Sequence, residues 1–193
     1  MRAEAGVSVA PLRADARRNH DALMSAAAVM FAKVGVDAPI KDIADAAGVG
    51  VATVYRRFPK RSDLILAVFR HEVDSCAVAA ETLATQNKPF EALIRWIDRL
   101  LDLIVTKRGL AAALQSDAPA FVALRADFEA RLVPALERLM DAAGEDIHAD
   151  ISATELWRAV ALLCAPATAR DFGQTRRMVA VLVNGLRAGV PQA

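Results

Sequence analysis

Several residue types that define other protein classes are scarce in this chain of 193 residues. It has two cysteines, one tyrosine and two tryptophans, and aromatic residues make up 5% of it. No apolar run approaches the roughly 20 residues that a bilayer-spanning helix requires, and the first residues lack the apolar segment of a secretory signal. These absences argue against a disulfide scaffold, a membrane protein and a secreted protein. We therefore expect a cytoplasmic protein.

The residues that carry catalysis and metal binding are also few and scattered. Cys76 and Cys164 are far apart and have no metal-type spacing around them, so we interpret them as small buried hydrophobes in a reducing compartment. A redox-sensing pair is the alternative. The histidines, His20, His71 and His148, form no ligand pair at helical spacing. We expect no metal and no cofactor, and no catalytic triad, paired-carboxylate motif or phosphate loop supports an enzyme.

The residues that are abundant predict an all-α fold. Hydrophobic residues make up 55% of the chain, alanine and leucine dominate, and β-branched runs are short. Apolar positions at helical spacing, interrupted by glycine and proline, predict about nine helices. Their approximate ranges are 15–34, 40–47, 51–57, 60–84, 89–107, 108–116, 119–143, 152–165 and 171–188. We predict a flexible arm at 1–14, a helix-turn-helix domain at 15–59 and a helical body at 60–193.

Charge is distributed unevenly between these parts. Residues 1–61 hold ten Lys/Arg against six Asp/Glu, whereas the rest of the chain holds 14 against 17. A basic first third on a slightly acidic remainder is typical of a module that faces nucleic acid.

The segment 40–58 has the pattern of two short helices joined by a tight turn. Ile40, Ile43, Ala44 and Ala47 form one narrow apolar stripe, and Gly48 then supplies a residue free of Cβ crowding. A second helix follows at 51–57. This arrangement is the geometry of a DNA-binding helix-turn-helix, in which the first helix braces the second.

The second helix carries side chains suited to a DNA groove. Small residues and Thr53 permit close approach, the hydroxyl of Tyr55 can reach a phosphate, and Arg56 and Arg57 offer forked donors to guanine edges or phosphates. Lys60 adds a further cation. The alternatives are a solvated basic face for the cations and packing between helices for Tyr55.

Residues 26–66, which contain FAKVG, IADAAGV, TVY, Phe58 and Arg61, resemble the DNA-binding domain of the TetR family of regulators. The sequence departs from the family pattern at Pro39, Gly50 and Arg57. The resemblance implies a homodimeric, ligand-responsive DNA-binding protein, with repression as the common mode. It also implies a phosphate contact from Arg61 and a basic arm around Arg18. Together, the charge pattern and the resemblance give the predicted DNA-binding residues, which are Val51, Ala52, Thr53, Tyr55, Arg56, Arg57, Lys60, Arg61 and Arg18.

The helical body holds the apolar residues from which an effector pocket could be built. An ordinary core explains these residues equally well, and both interpretations can hold together. A pocket of this composition favours a small apolar or aromatic effector. The predicted walls, with Trp157 as a further candidate, are Trp96, Leu100, Ile104, Leu114, Phe121, Leu124 and Phe128.

The last two helices carry wide apolar stripes for elements near a chain end. A two-fold four-helix contact between subunits would bury them and would place two recognition helices on one DNA face, so the operator would be an inverted repeat. The alternative is packing within one subunit. The predicted interface consists of Leu156, Trp157, Val160, Met178, Val179, Leu182 and Leu186.

These features together predict a repressor that a small effector releases from DNA. The alternatives are a helical enzyme and a protein-interaction module without DNA affinity. The basic segment 51–61 argues against the second alternative, because a protein-binding groove favours exposed apolar anchors.

Overall fold

A computed structural model describes residues 9–109, 119–164 and 172–188. Within these residues the chain forms eight α-helices, one short 3-10 helix and no strand, in agreement with the predicted all-α class. No helix in these ranges is long and apolar enough to cross a bilayer. The α-helices are α1 (Val9–Val34), α2 (Ile40–Ala47), α3 (Val51–Arg57), α4 (Arg61–Gln86), α5 (Pro89–Gly109), α6 (Pro119–Ala142), α7 (Ala153–Cys164) and α8 (Phe172–Ala188).

Contacts divide the chain into two compact units, Met1–Phe69 and Arg70–Ala193. The first nine residues of α4 belong to the first unit, so this division falls ten residues after the division at 59/60 that the motif predicts. The predicted helix at 108–116 lies largely outside the described residues.

Helix α1 begins earlier than the sequence pattern indicates. The predicted helix start at residue 15 is too late, because residues 9–14, which the prediction assigned to a flexible arm, are helical. Alanine, leucine and arginine in this segment favour a helix, and Pro11 falls in the first turn, where a missing N–H costs nothing. Residues 1–8 lie outside the described part of the chain.

The core of the first unit forms along one face of α1. Leu23, Met24, Ala27 and Phe31 are buried there at helical spacing. The helix ends at Val34, and the next residue, Gly35, has a positive φ of 87°, a conformation that glycine adopts without a Cβ penalty. The N–H of Gly35 donates to the carbonyl of Phe31 at 3.0 Å. The predicted helix stop at Gly35 is therefore confirmed.

In the second unit, α5 packs against α6 and α8, and α7 packs against both α6 and α8. Trp96 of α5 is fully buried, and its indole Nε1–H donates to the carbonyl of Cys76 at 2.8 Å. Burial raises the pKa of the Cys76 thiol to about 12, so the thiolate that redox chemistry requires is disfavoured. This supports the interpretation of Cys76 as a small buried hydrophobe rather than a redox sensor.

Helix α7 begins at a reciprocal cap. The backbone N–H and the hydroxyl of Ser152 both donate to one carboxylate oxygen of Glu155, at 2.8 and 2.6 Å, and the N–H of Glu155 donates back to the Ser152 hydroxyl at 3.3 Å. This Ser-x-x-Glu arrangement satisfies backbone donors that the first turn of a helix leaves free. The hydrogen bonds from Ser152 lower the pKa of the Glu155 carboxyl.

Candidate nucleic-acid interface

Helices α2 and α3 are joined by a tight turn of three residues. The predicted ranges of both helices, 40–47 and 51–57, are confirmed. Gly48 closes α2 in the left-handed conformation, with φ 67° and ψ 28°. Its N–H donates to the carbonyl of Asp45 at 3.2 Å, and the N–H of Val49 donates to the carbonyl of Ala44 at 3.0 Å. These two bonds satisfy carbonyls that the end of α2 would leave free, so the turn has a defined shape.

Packing holds α3 in place. With seven residues it is far below the length at which a helix is stable alone in water. Val54, the buried residue of α3, and Ile43 and Ala44 of α2 are almost completely shielded from solvent. The stability of α3 therefore comes from its contact with the rest of the first unit.

The remaining face of α3 is open to solvent. Ala52, Thr53, Arg56 and Arg57 are exposed, Val51 is half-buried, and Tyr55 keeps 55% of its surface exposed. This exposure favours an outward role for Tyr55 over packing between helices. The guanidinium of Arg57 lies 5.9 Å from the ring centroid of Phe58. Five predicted contact residues thus lie exposed on one short helix.

A groove of about 230 Å³ runs beside the start of α3, lined in part by Gly50, Thr53 and Arg57. Asn19 of α1, next to Arg18, also lines it, and the sequence analysis did not single this residue out. Its position in the groove depends on how α1 packs beside the turn, which no local pattern encodes. Arg18 is exposed and forms an ion pair with Asp15. A pair so exposed contributes little stability, so Arg18 can exchange Asp15 for another anion.

The two cations that follow α3 differ in their surroundings. Lys60 is exposed, as a phosphate contact requires. Arg61 is half-buried, and its Nη1 donates hydrogen bonds to the backbone carbonyls of Val36 and Ala38. The phosphate contact that the resemblance implies for Arg61 is not what this geometry favours, because the guanidinium is directed to the loop between α1 and α2.

The predicted effector-pocket residues fall into two groups. Trp96 and Leu100 are fully buried in the second unit, and Ile104 is half-buried. Phe128 packs its ring against that of Trp157, with centroids 5.3 Å apart. The side chains of Leu114, Phe121 and Leu124 lie outside the described residues.

Most side chains of the predicted dimer interface pack within the chain. Five of them are buried there, because α7 and α8 direct their main apolar stripes onto neighbouring helices of the same chain. These five are Leu156, Trp157, Val160, Val179 and Leu186. Met178 is exposed and Leu182 is half-buried. The large apolar side chains that α7 and α8 leave most exposed are those of Leu162 and Val181, at 72% and 74%.

Sequence comparison matches both parts of the chain to known regulators. Residues 23–68 match the bacterial regulatory proteins of the tetR family, and residues 88–188 match the C-terminal domain of SbtR-like transcriptional regulators. The HTH-type transcriptional repressor LfrR of Mycolicibacterium smegmatis is 38% identical over 87 residues. That alignment covers 45% of this chain and 46% of the repressor, so the chain spans about half of its length.

Structural comparison extends the similarity over most of the chain. A TetR transcriptional regulator from Streptomyces coelicolor is 35% identical, with a TM-score of 0.77 over 87% of this chain and 98% of that one. A TetR regulatory protein from Mycobacterium vanbaalenii is 31% identical, with a TM-score of 0.74 over 92% of this chain and 99% of that one. With the helix-turn-helix in its first unit and the helical body in its second, this chain belongs to the TetR family of transcriptional regulators.

Proposed function

We propose that the protein is a homodimeric repressor that binds an inverted-repeat operator through α3 and releases it when a small apolar or aromatic effector binds. The observation that carries the proposal is the exposed face of α3, held by a glycine-closed turn and a buried Val54. The repressor named above, to which the chain is similar over 87 residues, supports repression as the mode.

The chemistry of that face supports reading of DNA from the major groove. Thr53 and Ala52 are small enough to let the helix backbone approach the base edges, and Arg56 and Arg57 are exposed at its C-terminal end. An arginine that donates two hydrogen bonds to guanine discriminates against other bases by about 1–3 kcal/mol. Tyr55 and Lys60 supply a hydroxyl and an ammonium for phosphate oxygens.

The DNA assignment can be tested with a pair of matched double variants. In Arg56→Ala/Arg57→Ala, binding to fragments enriched by the wild-type protein from a random duplex pool should fall at least tenfold, because two cations leave the interface. Lys88→Ala/Arg138→Ala removes two exposed cations from the second unit and should bind like wild type. Equal binding by both double variants would exclude α3 as the reading element.

The exposed apolar side chains of α7 and α8 support a dimer contact. Leu162, Met178 and Val181 are exposed on helices whose opposite faces already pack within the subunit. Gly185 lies on α8 four residues after Val181, and a Cβ built on it would meet nothing within 4 Å. A glycine within a helix costs about 1 kcal/mol relative to alanine, and close approach of a second subunit would offset that cost.

Analytical ultracentrifugation of two variants tests this contact. Val181→Glu should shift the protein towards monomer, because it places a charge in the proposed interface. Val78→Glu changes an equally apolar residue, 63% exposed on α4, and should leave the dimer intact. If the wild-type protein sediments as a monomer at micromolar concentration, the proposed dimer is wrong.

The effector is proposed to bind among the helices of the second unit. The proposed apolar walls of its site are the aromatic pair Phe128–Trp157 and the buried Trp96, side chains of the kind that such a ligand needs. Linkage requires that an inducer bind the free protein more tightly than the DNA complex, by the factor that it weakens DNA binding. Titration of the free and DNA-bound forms with an aromatic dye such as anilinonaphthalene sulfonate tests this. Equal affinities of the dye for the free and the DNA-bound protein would show that a ligand at this site does not control DNA binding.

A further inference from the structure

Hydrogen bonds from the side chain of Arg61 close the chain into a ring that contains the helix-turn-helix. Arg61 is the first residue of α4, and its Nη1 donates to the carbonyls of Val36 and Ala38, the latter at 3.0 Å. These carbonyls lie 25 and 23 residues earlier, in the loop between α1 and α2. The ring therefore runs through the loop, α2, the turn and α3 before it returns to α4.

The backbone carbonyls of this loop lack enough donors within the loop itself. It turns at Gly35, and the N–H of Ala38 donates to the Gly35 carbonyl at 3.2 Å. Ala38 is buried, and Pro39 after it has no N–H to contribute. Carbonyls in such a compact loop require donors, and a charged guanidinium makes stronger hydrogen bonds than a neutral group.

The same ring sets the position of α3. Helix α2 starts immediately after the loop, at Ile40, and braces α3 through buried Ile43 and Ala44. At its other end, α3 is joined to α4 by only three residues, 58–60. Because Arg61 joins the loop to the start of α4, both ends of the α2–α3 pair are attached to one point.

The first turn of α4 is itself well fixed. The backbone N–H of Lys60 donates to the Asp63 carboxylate at 3.1 Å, and the N–H of Asp63 donates to the Lys60 carbonyl at 3.0 Å. These bonds use the backbone of Lys60 and leave its ammonium in solvent. Two adjacent cations thus have different surroundings, one directed to backbone carbonyls and one exposed.

We propose that Arg61 is a positioning residue that ties the α1–α2 loop to α4 and thereby fixes the recognition helix, while Lys60 supplies the phosphate contact. This inference rests on the proposed DNA-binding function. It predicts that removal of Lys60 changes the salt dependence of DNA binding and that removal of Arg61 does not. The reason is that only a cation at a phosphate releases a counterion when DNA binds.

The test compares Arg61→Ala with Lys60→Ala, which removes the same charge one residue away. The affinity for a duplex that the wild-type protein enriches from a random pool is measured over a range of salt concentrations, well below the melting temperature of each variant. Lys60→Ala should reduce the slope of log K against log salt by about 0.9. Arg61→Ala should lower affinity about tenfold and leave the slope at its wild-type value. A slope reduced by about 0.9 in Arg61→Ala would overturn the proposal.

Hydrogen exchange on the free protein supplies a readout independent of DNA. Arg61→Ala should speed exchange in peptides covering residues 35–39 and 51–58, whereas Lys60→Ala should not. If Arg61→Ala exchanged as slowly as the wild-type protein in these peptides, Arg61 would not hold the loop. If the wild-type protein bound no DNA, the proposed function would fail, and exchange would still decide whether Arg61 holds the loop.

Arg61→Lys completes the series and serves if Arg61→Ala does not fold. A lysine keeps the charge but places its Nζ about one bond short of the arginine Nη1. If Arg61 holds the loop through its hydrogen bonds, Arg61→Lys should have a DNA affinity and a protection from exchange that both lie between those of wild type and Arg61→Ala. Across the three proteins, lower protection should go with lower affinity. A phosphate contact predicts wild-type values of both, and that result would refute the tether.

Discussion

Gly48 offers a sharp test of how the turn positions α3. Its φ of 67° lies in the left-handed region, where a side chain of an L-residue crowds its own backbone. A Cβ built on Gly48 would meet nothing within 4 Å, so the surroundings add no steric penalty. The substitution Gly48→Ala therefore isolates the cost of the backbone conformation.

The expected magnitude follows from two opposing effects. Holding alanine in the left-handed conformation costs about 1–2 kcal/mol. Alanine also restricts the unfolded chain, which returns about 0.4–1 kcal/mol. We expect Gly48→Ala to lower the free energy of unfolding by roughly 1 kcal/mol. Gly48→Asn should lower it less, because asparagine tolerates this conformation.

Gly50 is the matched control two residues away. Its φ of −69° is accessible to any residue, and an added Cβ would meet the Thr53 Oγ1 at an ordinary contact distance of 3.7 Å. Gly50→Ala should therefore change stability by no more than about 0.5 kcal/mol. Urea unfolding followed by circular dichroism measures all three variants. An equal loss in Gly48→Ala and Gly50→Ala, or a larger loss in Gly48→Asn than in Gly48→Ala, would refute the argument.

Four further predictions concern the second unit. Ser152→Ala should lower the free energy of unfolding by about 1 kcal/mol in urea titrations, because the α7 cap is lost. Folding lowers the pKa of the Glu155 carboxyl. The ionised carboxylate therefore stabilises the folded protein above the unfolded-state pKa, and this stabilisation is lost as the pH falls through the folded-state pKa. In Glu155→Gln, the free energy of unfolding should fall less steeply with decreasing pH in the acid range than in the wild-type protein. Trp96→Phe should cost about 1–3 kcal/mol in thermal unfolding, because the buried indole loses both its hydrogen bond to the Cys76 carbonyl and part of its apolar ring. Cys76 in the native wild-type protein should resist iodoacetamide at pH 8, as mass spectrometry would show.

The helix-turn-helix was predictable because residue types close to its boundaries determine where its helices begin and end. Gly35, Gly48 and the apolar stripe of α2 act over a few residues, and the structure places the stops and both helices where they predict. The start of α1 was not predictable in this way. Its first residues carry no apolar stripe, although their backbone propensity is helical.

Contacts with residues distant in the sequence could not be predicted, for one physical reason. A hydrophobic stripe indicates that Leu156 or Val179 will be buried, but not whether a neighbouring helix or a second subunit covers it. Similarly, a cation at Arg61 indicates a positive charge near the groove, whereas its acceptors lie 23 and 25 residues earlier. Such pairings are set by tertiary packing, which a local pattern does not contain.

If α3 reads the operator, as proposed above, its exposure also bears on how operator preference can change over evolution. Ala52, Thr53, Tyr55, Arg56 and Arg57 all lie in solvent, and Val54 anchors the helix. Substitutions at exposed positions usually alter stability by less than about 0.5 kcal/mol. New combinations at these five positions can therefore be sampled at almost no cost to folding. A duplicated copy of the gene could acquire a new operator through them while the scaffold that presents α3 stays unchanged.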